Sequence, residues 1–480
     1  MSEYQLHIGG RYQAAESGLR APSLNPANGE VLATVQQAGE SDVLRALEAA
    51  QCAFNGWKQV LPSQREAVFL KAADVVDERA QELRDLLIDE SGSTLIKAGY
   101  EVHHAAAFLR GMAGECRRVT GETYSSDYAG VKSYSIRRPL GVVVAISPFN
   151  FPLLLGLRKI GWAMAAGNSV VLKPSEETPV VGLKIAEIFQ QAGLPDGVLN
   201  VIPGRASDMG DALLADPRVK KITFTGSSEV GKMIAAKAAA NLKKFTLELG
   251  GKNPLVILED ADLDYAVNTA TFSNFMHQGQ ICMTGSRVIV EAGLYDEFCR
   301  RVAAKVAALK TGSPREPGVV IGPLIRPTQP AFIQEQVESA VDDGARLLTG
   351  GKYEGSYYLP TVLADVTENM SIFRTECFGP VMSIIKADDY LHALTLANDS
   401  DYGLSSAVLT NDLQKALHCS ESLETGMVHI NGPTVRDEAV VPFGGVKDSG
   451  FGREGGRFAM EEFTELKWVT IQTGQQQYPF

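Results

Sequence analysis

A cysteine stands in an unusual setting in the stretch from Gln278 to Arg287, which reads QGQICMTGSR. Cys282 has an apolar neighbour on either side, but the residues around them are small or polar, whereas a packing cysteine usually sits in a longer apolar run. A thiolate is a strong nucleophile where its pKa or its access is adjusted by the surroundings. Cys282 is therefore a candidate for covalent catalysis, with an unreactive packing thiol as the alternative.

Other stretches contain residue types that bind phosphates and sugars. An apolar run at 221–224 precedes Gly226 and Ser227 in FTGSSEVGKM, and a glycine turn before a helix start presents backbone N–H groups to an anion. Lys173 and Glu176 in VVLKPSEETP follow another apolar run, at the strand end where ligands bind in parallel sheets. That pair suits the two hydroxyls of a ribose. The alternatives are an ordinary helix cap and a solvated turn.

The pattern along the chain predicts the elements that must position these residues. Short, apolar, β-branched runs are each followed by a helix-like segment, which is typical of a parallel sheet with helical crossovers. The runs and segments alternate in the order 141–146, 153–166, 169–172, 179–192, 198–202, 206–215, 221–224 and 228–240. A second set of strands begins near 254–258 and extends to about 428–430. We therefore expect two α/β domains.

The remaining segments lie outside that alternation. Helices are predicted over 41–54 and 63–91, with Ser41 and Ser63 as their N-caps. The segment 123–138 resembles an exposed hairpin, and 465–471 resembles a late strand. Neither β segment has an obvious partner inside its own domain, and an unpaired strand edge favours association with another chain. We expect an oligomer.

The composition excludes several classes of function. The chain has 480 residues, 45% of them hydrophobic, and a net charge of −12, so nothing favours binding to a nucleic-acid backbone. No run of about 18 apolar residues predicts a membrane span, and the polar N-terminus does not resemble a signal peptide. The cysteines form no CxxC pair and the histidines show no metal spacing. We expect a cytoplasmic protein with reduced thiols and no metal site.

A series of stretches resembles the successive signature motifs of the aldehyde dehydrogenase superfamily, in that family's order and at its spacings. They are SPFNFPL (147–153), KPSEETP (173–179), FTGSSEVG (224–231), LELGGKNP (247–254), GQICMTGSR (279–287), ECFGPV (376–381) and PFGGVKDSGFGREGG (442–456). The resemblance covers almost the whole chain. It implies an α/β fold with a Rossmann-type NAD-binding domain, an α/β catalytic domain and a small β oligomerisation arm.

The resemblance implies roles for three residues in the oxidation of an aldehyde to a carboxylic acid. Cys282 matches the nucleophile, which forms a thiohemiacetal and then a thioester. Asn150 matches the amide that stabilises the oxyanion together with the backbone N–H of Cys282. Glu248 matches the base that activates water to hydrolyse the thioester. A structural carboxylate beside a glycine turn is the alternative for Glu248.

The resemblance also implies a nicotinamide cofactor. The residues that match its contacts with the adenosine ribose, the pyrophosphate, and the nicotinamide ribose and ring are Lys173, Glu176, Gly226, Ser227, Glu376 and Phe378. A carboxylate at position 176 binds a 2′-hydroxyl and repels a 2′-phosphate, which favours NAD. Lys173 can offset the charge of a phosphate, so NADP remains the alternative.

Arg158 in LLLGLRKIG is the main indication of the substrate. Its helix follows the oxyanion asparagine, and an arginine there resembles the bacterial benzaldehyde, vanillin and salicylaldehyde dehydrogenase branch, as does the stretch 429–450. The aromatic side chains expected to wall the aldehyde site are Phe149, Phe151, Tyr100 and Phe443. We predict an aromatic aldehyde, with a medium-chain aliphatic aldehyde second. The alternative for Arg158 is a surface side chain whose stem packs on its helix.

The family pattern further implies a domain division and an assembly. The NAD-binding domain is expected over 1–122 and 142–249, the catalytic domain over 250–430, the oligomerisation arm over 123–141 and 460–480, and a return segment lining the active site over 431–459. A homodimer or homotetramer is implied. The rival activities are a coenzyme-A-acylating relative, against which Glu248 argues, and a catalytically silent relative, against which Cys282, Glu248 and Asn150 together argue.

Overall fold

The computed structural model describes residues 2–480 and has an α/β architecture in which helices cover the faces of parallel sheets. The helices are α1 (Glu40–Trp57), α2 (Pro62–Glu78), α3 (Ala80–Ser91), α4 (Leu95–Glu115), α5 (Pro152–Ala165), α6 (Pro179–Gln191), α7 (Ala212–Ala215), α8 (Ser228–Ala240), α9 (Leu263–Phe275), α10 (Ala292–Ala307), α11 (Gln329–Asp342), α12 (Ser371–Arg374), α13 (Tyr390–Asn398), α14 (Leu413–Ser422) and α15 (Gly456–Glu462). Short 3₁₀ helices span Ala206–Met209 and Met276–Gly279.

The strands include the predicted apolar runs and five segments in residues 2–36 that the pattern did not predict. They are β1 (Ser2–Tyr4), β2 (Leu6–Ile8), β3 (Arg11–Gln13), β4 (Arg20–Leu24), β5 (Val31–Gln36), β6 (Thr123–Tyr124), β7 (Val131–Pro139), β8 (Val142–Ile146), β9 (Ser169–Lys173), β10 (Leu199–Val201), β11 (Val219–Thr225), β12 (Lys244–Glu248), β13 (Pro254–Ile257), β14 (Arg287–Glu291), β15 (Arg346–Thr349), β16 (Tyr353–Glu354), β17 (Tyr357–Tyr358), β18 (Thr361–Ala364), β19 (Val381–Ala387), β20 (Tyr402–Gly403), β21 (Ser405–Leu409), β22 (Met427–Ile430), β23 (Val446–Lys447), β24 (Gly450–Phe451) and β25 (Thr464–Gln472).

A first large sheet has the order β24-β12-β11-β8-β9-β10-β2-β3, and its strands from β12 to β10 in this order are parallel neighbours. Strands such as β9 are buried along their whole length because helices pack on both faces, which is why they read as continuous apolar runs. The predicted parallel sheet with helical crossovers is confirmed. Strand β24, which lies within the segment 431–459, pairs antiparallel with β12 at one edge.

A second large sheet has the order β15-β18-β19-β14-β13-β21-β22, with β15 antiparallel and the others parallel. Its bounds, from Pro254 to Ile430 for the strands β13 to β22, confirm the second predicted set. Separate clusters of buried apolar side chains pack against this sheet. The chain therefore contains two large sheets that are covered by helices, and each sheet has its own hydrophobic core.

The two peripheral β segments, for which no partner was expected inside either α/β domain, pair with each other in a sheet of their own. Strand β25 pairs antiparallel with β7 along its whole length, from Thr464 against Pro139 to Gln472 against Val131, and β7 also pairs with β6. The register joins residues more than 300 positions apart, so no local pattern reveals it. A small separate sheet results, with Leu466, Trp468 and other large side chains exposed.

Several predicted helix ends are also wrong. Ser41 and Ser63 lie inside helices, because α1 begins at Glu40 after Gly39 and α2 begins at Pro62 after Leu61. The predicted helix over 63–91 is divided at Arg79, which has non-helical dihedral angles. The predicted helix over 206–215 is a 3₁₀ turn and one α-helical turn, separated where Gly210 adopts a φ of 62°. Among residues 2–480, no helix has the length and apolar character needed to cross a bilayer.

Candidate active site

An open cleft with a volume of about 570 Å³ lies at the carboxyl ends of the parallel strands of the first sheet. That position is the usual ligand site of such sheets. The predicted site residues that line it are Phe149, Asn150, Lys173, Glu176, Gly226, Ser227, Cys282, Glu376 and Phe378. The fold therefore brings together, in one cavity, residues from both large sheets that are spread over more than 200 positions of the chain.

Cys282 lies on a loop whose backbone is tightly constrained. His277, Gln278 and Gly279 adopt left-handed conformations with φ of 51°, 52° and 70°. A Cβ on Gly279 would lie 2.1 Å from the carbonyl oxygen of Gly379, so only glycine fits at this close approach. Asn253 Nδ2 then donates to the carbonyl oxygen of Cys282 at 2.7 Å. These contacts hold the thiol, which is partly exposed, at the cleft wall.

The thiol of Cys282 is electrostatically disfavoured as a thiolate. Although part of its surface faces the cleft, burial and then the negative charges of Glu376 and Glu248 raise the pKa of Cys282 to about 12. The group is therefore a neutral thiol near pH 7. Covalent chemistry at this sulfur requires that its proton be removed as the bond to carbon forms.

Asn150 lies in the turn between β8 and α5, and its side chain is buried. Its Nδ2 donates to the carbonyl oxygen of Gln280 at 3.0 Å, two residues before the cysteine. A side-chain amide carries two N–H donors, so one donor holds the cysteine loop and the second is available to another acceptor. Such a donor beside a nucleophile suits the stabilisation of an oxyanion.

Glu248 ends β12 and is 4% exposed. Within residues 2–480, neither of its carboxylate oxygens has a hydrogen-bond partner. Burial and then the negative charge of Glu454 raise its pKa well above the ordinary value, against the opposing charges of Lys159 and Arg158. Buried carboxylates without partners are costly, and they are concentrated at sites where protons move. Glu248 is not among the residues that line the open cleft.

The outer part of the cleft contains opposite charges and a helix start. Lys173 Nζ lies 3.5 Å from Glu176 Oε1; burial lowers the pKa of Lys173, and the carboxylate partly opposes that change. Ser227 is the N-cap of α8, and its Oγ accepts a hydrogen bond from the backbone N–H of Val230 at 3.4 Å. Gly226 donates its own N–H to the carbonyl oxygen of Glu248 at 3.1 Å, which joins this turn to the inner site.

Glu376 and Phe378 occupy the cleft wall that the second sheet contributes. Glu376 Oε1 accepts a hydrogen bond from the backbone N–H of Gly251 at 2.9 Å, and burial raises the pKa of Glu376 to about 7. The ring of Phe378 contacts the ring of Phe149 edge to face, with 5.8 Å between the centroids. Phe149 therefore lies beside Phe378 in the cleft, and Arg326 packs over its other side at 4.8 Å.

Arg158 is 1% exposed, so the alternative of a surface side chain is wrong. Its Nη2 donates to Asp437 Oδ1 at 3.3 Å, and its guanidinium packs over the ring of Phe443 at 4.2 Å and over that of Phe108 at 5.1 Å. Tyr100 lies near the same carboxylate, since burial and then Asp437 raise the pKa of Tyr100 to about 12.

The predicted substrate residues are thus divided between two places. Arg158, Tyr100, Phe151 and Phe443 are not among the residues that line the open cleft, whereas Phe149 is. Tyr100 and Phe151 contact each other, with 6.4 Å between their ring centroids. Cys282 and Tyr100 both pack against the apolar cluster that contains Phe151 and Phe443, and the positive charge of Arg158 opposes the rise in the pKa of Cys282.

Sequence reasoning missed the acids that hold these cations. Asp437 pairs with Arg158, and Glu454 Oε1 accepts from Lys159 Nζ at 2.6 Å and from Thr223 Oγ1 at 3.1 Å. Both acids lie in stretches already singled out for their motifs, but partners from such distant parts of the chain leave no local signal.

Comparison with known proteins identifies relatives over the full chain. The model of the aldehyde dehydrogenase family matches residues 12–469. Vanillin dehydrogenase of Pseudomonas fluorescens is 42% identical over 482 residues, covering 100% of both chains. Benzaldehyde dehydrogenase YfmT of Bacillus subtilis is 40% identical over 474 residues, covering 98% of both. The crystal structure of a salicylaldehyde dehydrogenase from Pseudomonas putida G7, complexed with salicylaldehyde, superposes with a TM-score of 0.98 at 38% identity, covering 100% of both.

Two further solved structures name a cofactor. A betaine aldehyde dehydrogenase from Staphylococcus aureus in complex with NAD⁺ has a TM-score of 0.96 at 33% identity, covering 99% of this chain and 97% of that one. An NADP-dependent enzyme of E. coli has a TM-score of 0.96 at 36% identity, covering 98% of both chains.

Proposed function

The chain belongs to the aldehyde dehydrogenase family, and from that premise we propose that it oxidises an aromatic aldehyde to the carboxylic acid, with NAD as the hydride acceptor. One observation carries this proposal: Cys282, Asn150 and Glu376 line the same cleft as the helix start at Ser227 and the Lys173–Glu176 pair. Nucleophile, oxyanion donor and nucleotide contacts are therefore within one continuous space.

The first step is the attack of Cys282 on the aldehyde carbon. The thiol gives its proton to water as the C–S bond forms, and the carbonyl oxygen becomes the oxyanion of a thiohemiacetal. The second N–H of Asn150 Nδ2 and the backbone N–H of Cys282 donate to that oxygen. Because Asn150 is buried and already anchored to Gln280, its donor is preorganised, which is the condition for strong oxyanion stabilisation.

The cleft residues fit a dinucleotide. The N-terminus of α8 at Ser227 offers backbone N–H groups and a positive dipole end to a pyrophosphate, and Glu176 offers a carboxylate to ribose hydroxyls. Glu376 and Phe378 would hold the nicotinamide ribose and ring, and a nicotinamide bound there would supply the acceptor for the hydride of the aldehyde carbon. The carboxylate of Glu176 favours NAD, and NADP is the alternative because Lys173 can neutralise a 2′-phosphate.

The last step is hydrolysis of the thioester, for which Glu248 is the base. It takes a proton from a water molecule, whose oxygen attacks the acyl carbon, and the C–S bond breaks to release the acid and Cys282. Its raised pKa makes it a strong proton acceptor once it is ionised. Glu248 has no other hydrogen-bond partner within residues 2–480 that would compete for this role.

An aromatic substrate is supported by two observations. The vanillin, benzaldehyde and salicylaldehyde dehydrogenases described above resemble this chain over almost its full length. Arg158 also packs over Phe443 and Tyr100 contacts Phe151, and Cys282 packs against the apolar cluster that contains both phenylalanines. A medium-chain aliphatic aldehyde is the second candidate.

A substrate panel tests this function. Benzaldehyde, vanillin, salicylaldehyde and hexanal are each incubated with NAD or NADP, with and without coenzyme A, while the absorbance of the reduced cofactor is followed. We expect the highest kcat/KM for an aromatic aldehyde with NAD and no dependence on coenzyme A. A requirement for coenzyme A would identify an acylating enzyme, and no turnover with any aldehyde would indicate a catalytically silent relative.

The domain division, the assembly and the cellular location are further parts of the proposal. We assign 1–122, of which residue 1 lies outside the described residues, and 142–249 to NAD binding, 250–430 to catalysis, 123–141 and 460–480 to the oligomerisation arm, and 431–459 to the return segment. The exposed apolar side chains on the small sheet of β6, β7 and β25 support a homodimer or homotetramer. Unpaired cysteines throughout residues 2–480 are compatible with the cytoplasm.

The arm is tested by deleting residues 465–480 and measuring molar mass by light scattering. Because β7 then loses its partner β25, we expect smaller species and lower activity together. A wild-type monomer with full activity would contradict the assembly.

A further inference from the structure

Helix α5 begins without a cap of its own. Its first residue is Pro152. The residue before it, Phe151, has no side-chain acceptor and therefore cannot cap the helix. The free backbone N–H groups of its first turn belong to Leu153 and Leu154. Both donate to one oxygen of Glu101, at 2.9 and 3.1 Å, although Glu101 belongs to α4. A carboxylate from another helix therefore caps α5.

Helix α6 begins in the same way. It starts at Pro179, after Thr178, whose side chain forms no cap among residues 2–480. The N–H groups of Val180 and Val181 donate to Oε1 and Oε2 of Glu90 at 2.9 and 2.8 Å. Glu90 belongs to α3. The consecutive helices α3 and α4 thus each supply a buried carboxylate, which caps the start of α6 and of α5, respectively.

Both carboxylates are fully buried, and burying a carboxylate is costly unless its charge is compensated. The compensation differs between them. Glu101 forms an ion pair with Lys97, which is also buried and lies 4.3 Å over the ring of Phe151. Glu90 receives a hydrogen bond from Ser23 Oγ at 2.6 Å, and burial raises the pKa of Glu90 to about 7. The positive dipole ends of α5 and α6 favour both negative charges.

Each capped helix directly follows a loop that carries residues of the proposed function. The loop between β8 and α5 contains Asn150, two residues before Pro152. Lys173 is the last residue of β9, and the loop from there to α6 contains Glu176. A helix start that is fixed from outside also fixes the backbone that enters it, because the last loop residues and the first helical turn share consecutive peptide planes.

We propose that Glu101 and Glu90 are positioning residues for the two halves of the reaction: Glu101 holds the loop that presents Asn150 to the oxyanion, and Glu90 holds the loop that follows Lys173 and presents Glu176 to the nucleotide. This inference rests on the proposed function, which assigns those roles to Asn150, Lys173 and Glu176. The proposal predicts that removing the cap of α5 and removing the cap of α6 change different measured quantities.

The test measures two quantities for each variant. The rate of hydride formation is followed in a single turnover with benzaldehyde and saturating NAD, and the Kd for NAD is followed by quenching of tryptophan fluorescence. For Glu101→Ala we expect hydride formation to slow by about 10- to 100-fold, since small displacements of a catalytic group have effects of that size. Its Kd for NAD stays near the wild-type value. For Glu90→Ala we expect the Kd to rise by about five- to tenfold, with a smaller effect on hydride formation.

A double variant separates positioning from a general structural effect. If Glu101 acts through Asn150, then Glu101→Ala adds no further loss to Asn150→Ala, and the double variant forms hydride as fast as Asn150→Ala alone. Glu101→Gln, which keeps an oxygen acceptor for Leu153 and Leu154, restores most of the rate. Losses that multiply in the double variant, or equal effects of Glu101→Ala and Glu90→Ala on the Kd, would overturn the proposal.

Separate controls address the folding of the variants and the proposed function. If an alanine variant does not fold, Glu101→Asp and Glu90→Asp, which keep the charge but shorten the reach, are compared in the same way, and unchanged values for both would overturn the proposal. The Kd for NAD does not depend on turnover. A wild-type protein that binds NAD but oxidises no aldehyde therefore contradicts the proposed function, while the Glu90 measurement still decides its own half of the inference.

Discussion

The outer part of the cleft and the inner part of the site, around Cys282 and Glu248, are built in opposite ways. In the outer part, charges and donors are compensated inside the protein: Lys173 lies beside Glu176, and Ser227 caps its helix. In the inner part, Glu248 keeps two oxygens without hydrogen-bond partners in the described chain, and Cys282 is held as a thiol by burial and by neighbouring acids. In the outer part these groups already have partners, and a ligand can bind by replacing those partners. The inner part is prepared for proton transfer.

Glu454 shows that burial alone does not produce this difference. It is as buried as Glu248 and lies in the same region, but Lys159 and Thr223 donate to it. Burial by itself would raise the pKa of Glu454, and the charges of Lys159 and Arg158 outweigh that effect, so the pKa lies below the ordinary value. One carboxylate is thus kept ionised by its partners, and the other is left to gain and lose a proton.

The largest expected effect comes from replacing the proposed nucleophile in the inner part of the site. Cys282→Ser should reduce aldehyde oxidation by a factor of about 10³ or more, because a serine hydroxyl is much harder to ionise than a thiol. Binding of NAD, measured by fluorescence, should persist because the outer part is untouched. Activity above about 10% of the wild-type value would exclude Cys282 as the nucleophile.

The next effect separates the two chemical steps of the inner part. In Glu248→Gln, hydrolysis of the thioester should slow by about 100-fold, since the variant cannot accept the proton of the attacking water. Rapid mixing should then show a burst of reduced cofactor, about one equivalent per active site, followed by a slow phase. Equal slowing of both phases would place Glu248 at or before hydride transfer.

The pKa of Cys282 can be measured directly. Because that pKa is raised to about 12, the thiolate fraction and hence the rate of alkylation by iodoacetamide should rise by about tenfold per pH unit between pH 6 and pH 9. The reaction is followed at the Cys282 peptide by mass spectrometry, with the exposed Cys52 as an internal reference. A rate that levels off near pH 7 would show that the thiolate is already formed there.

The smallest effect concerns the outer part alone. Glu176→Gln removes the negative charge that repels a 2′-phosphate, so the preference for NAD over NADP in kcat/KM should fall by about tenfold, or about 1.4 kcal/mol. The deacylation phase should not change, because the inner part is intact. A wild-type protein that prefers NADP would refute this role for the carboxylate.

The strands and the motif residues were accessible from the sequence because their signals are local. A buried parallel strand must be apolar over its whole length, so 142–146 and 169–173 are recognisable from consecutive residues. Lys173, Glu176, Gly226 and Ser227 lie in short motifs at the carboxyl ends of strands of the first sheet, where the fold class alone predicts a ligand site. Helix ends were harder, since proline and glycine starts replaced the serine caps expected at Ser41 and Ser63.

The sequence by itself determined the family, the two α/β sheets and the identity of the chemical groups, because each depends on residue type and short spacing. Only the tertiary structure decided which groups have partners. Arg158 meets Asp437, Glu101 caps Leu153, and β25 pairs with β7 through contacts between distant parts of the chain. The pKa of a buried acid depends on those partners more than on the acid itself, so the contrast between Glu248 and Glu454 exists only in the folded protein.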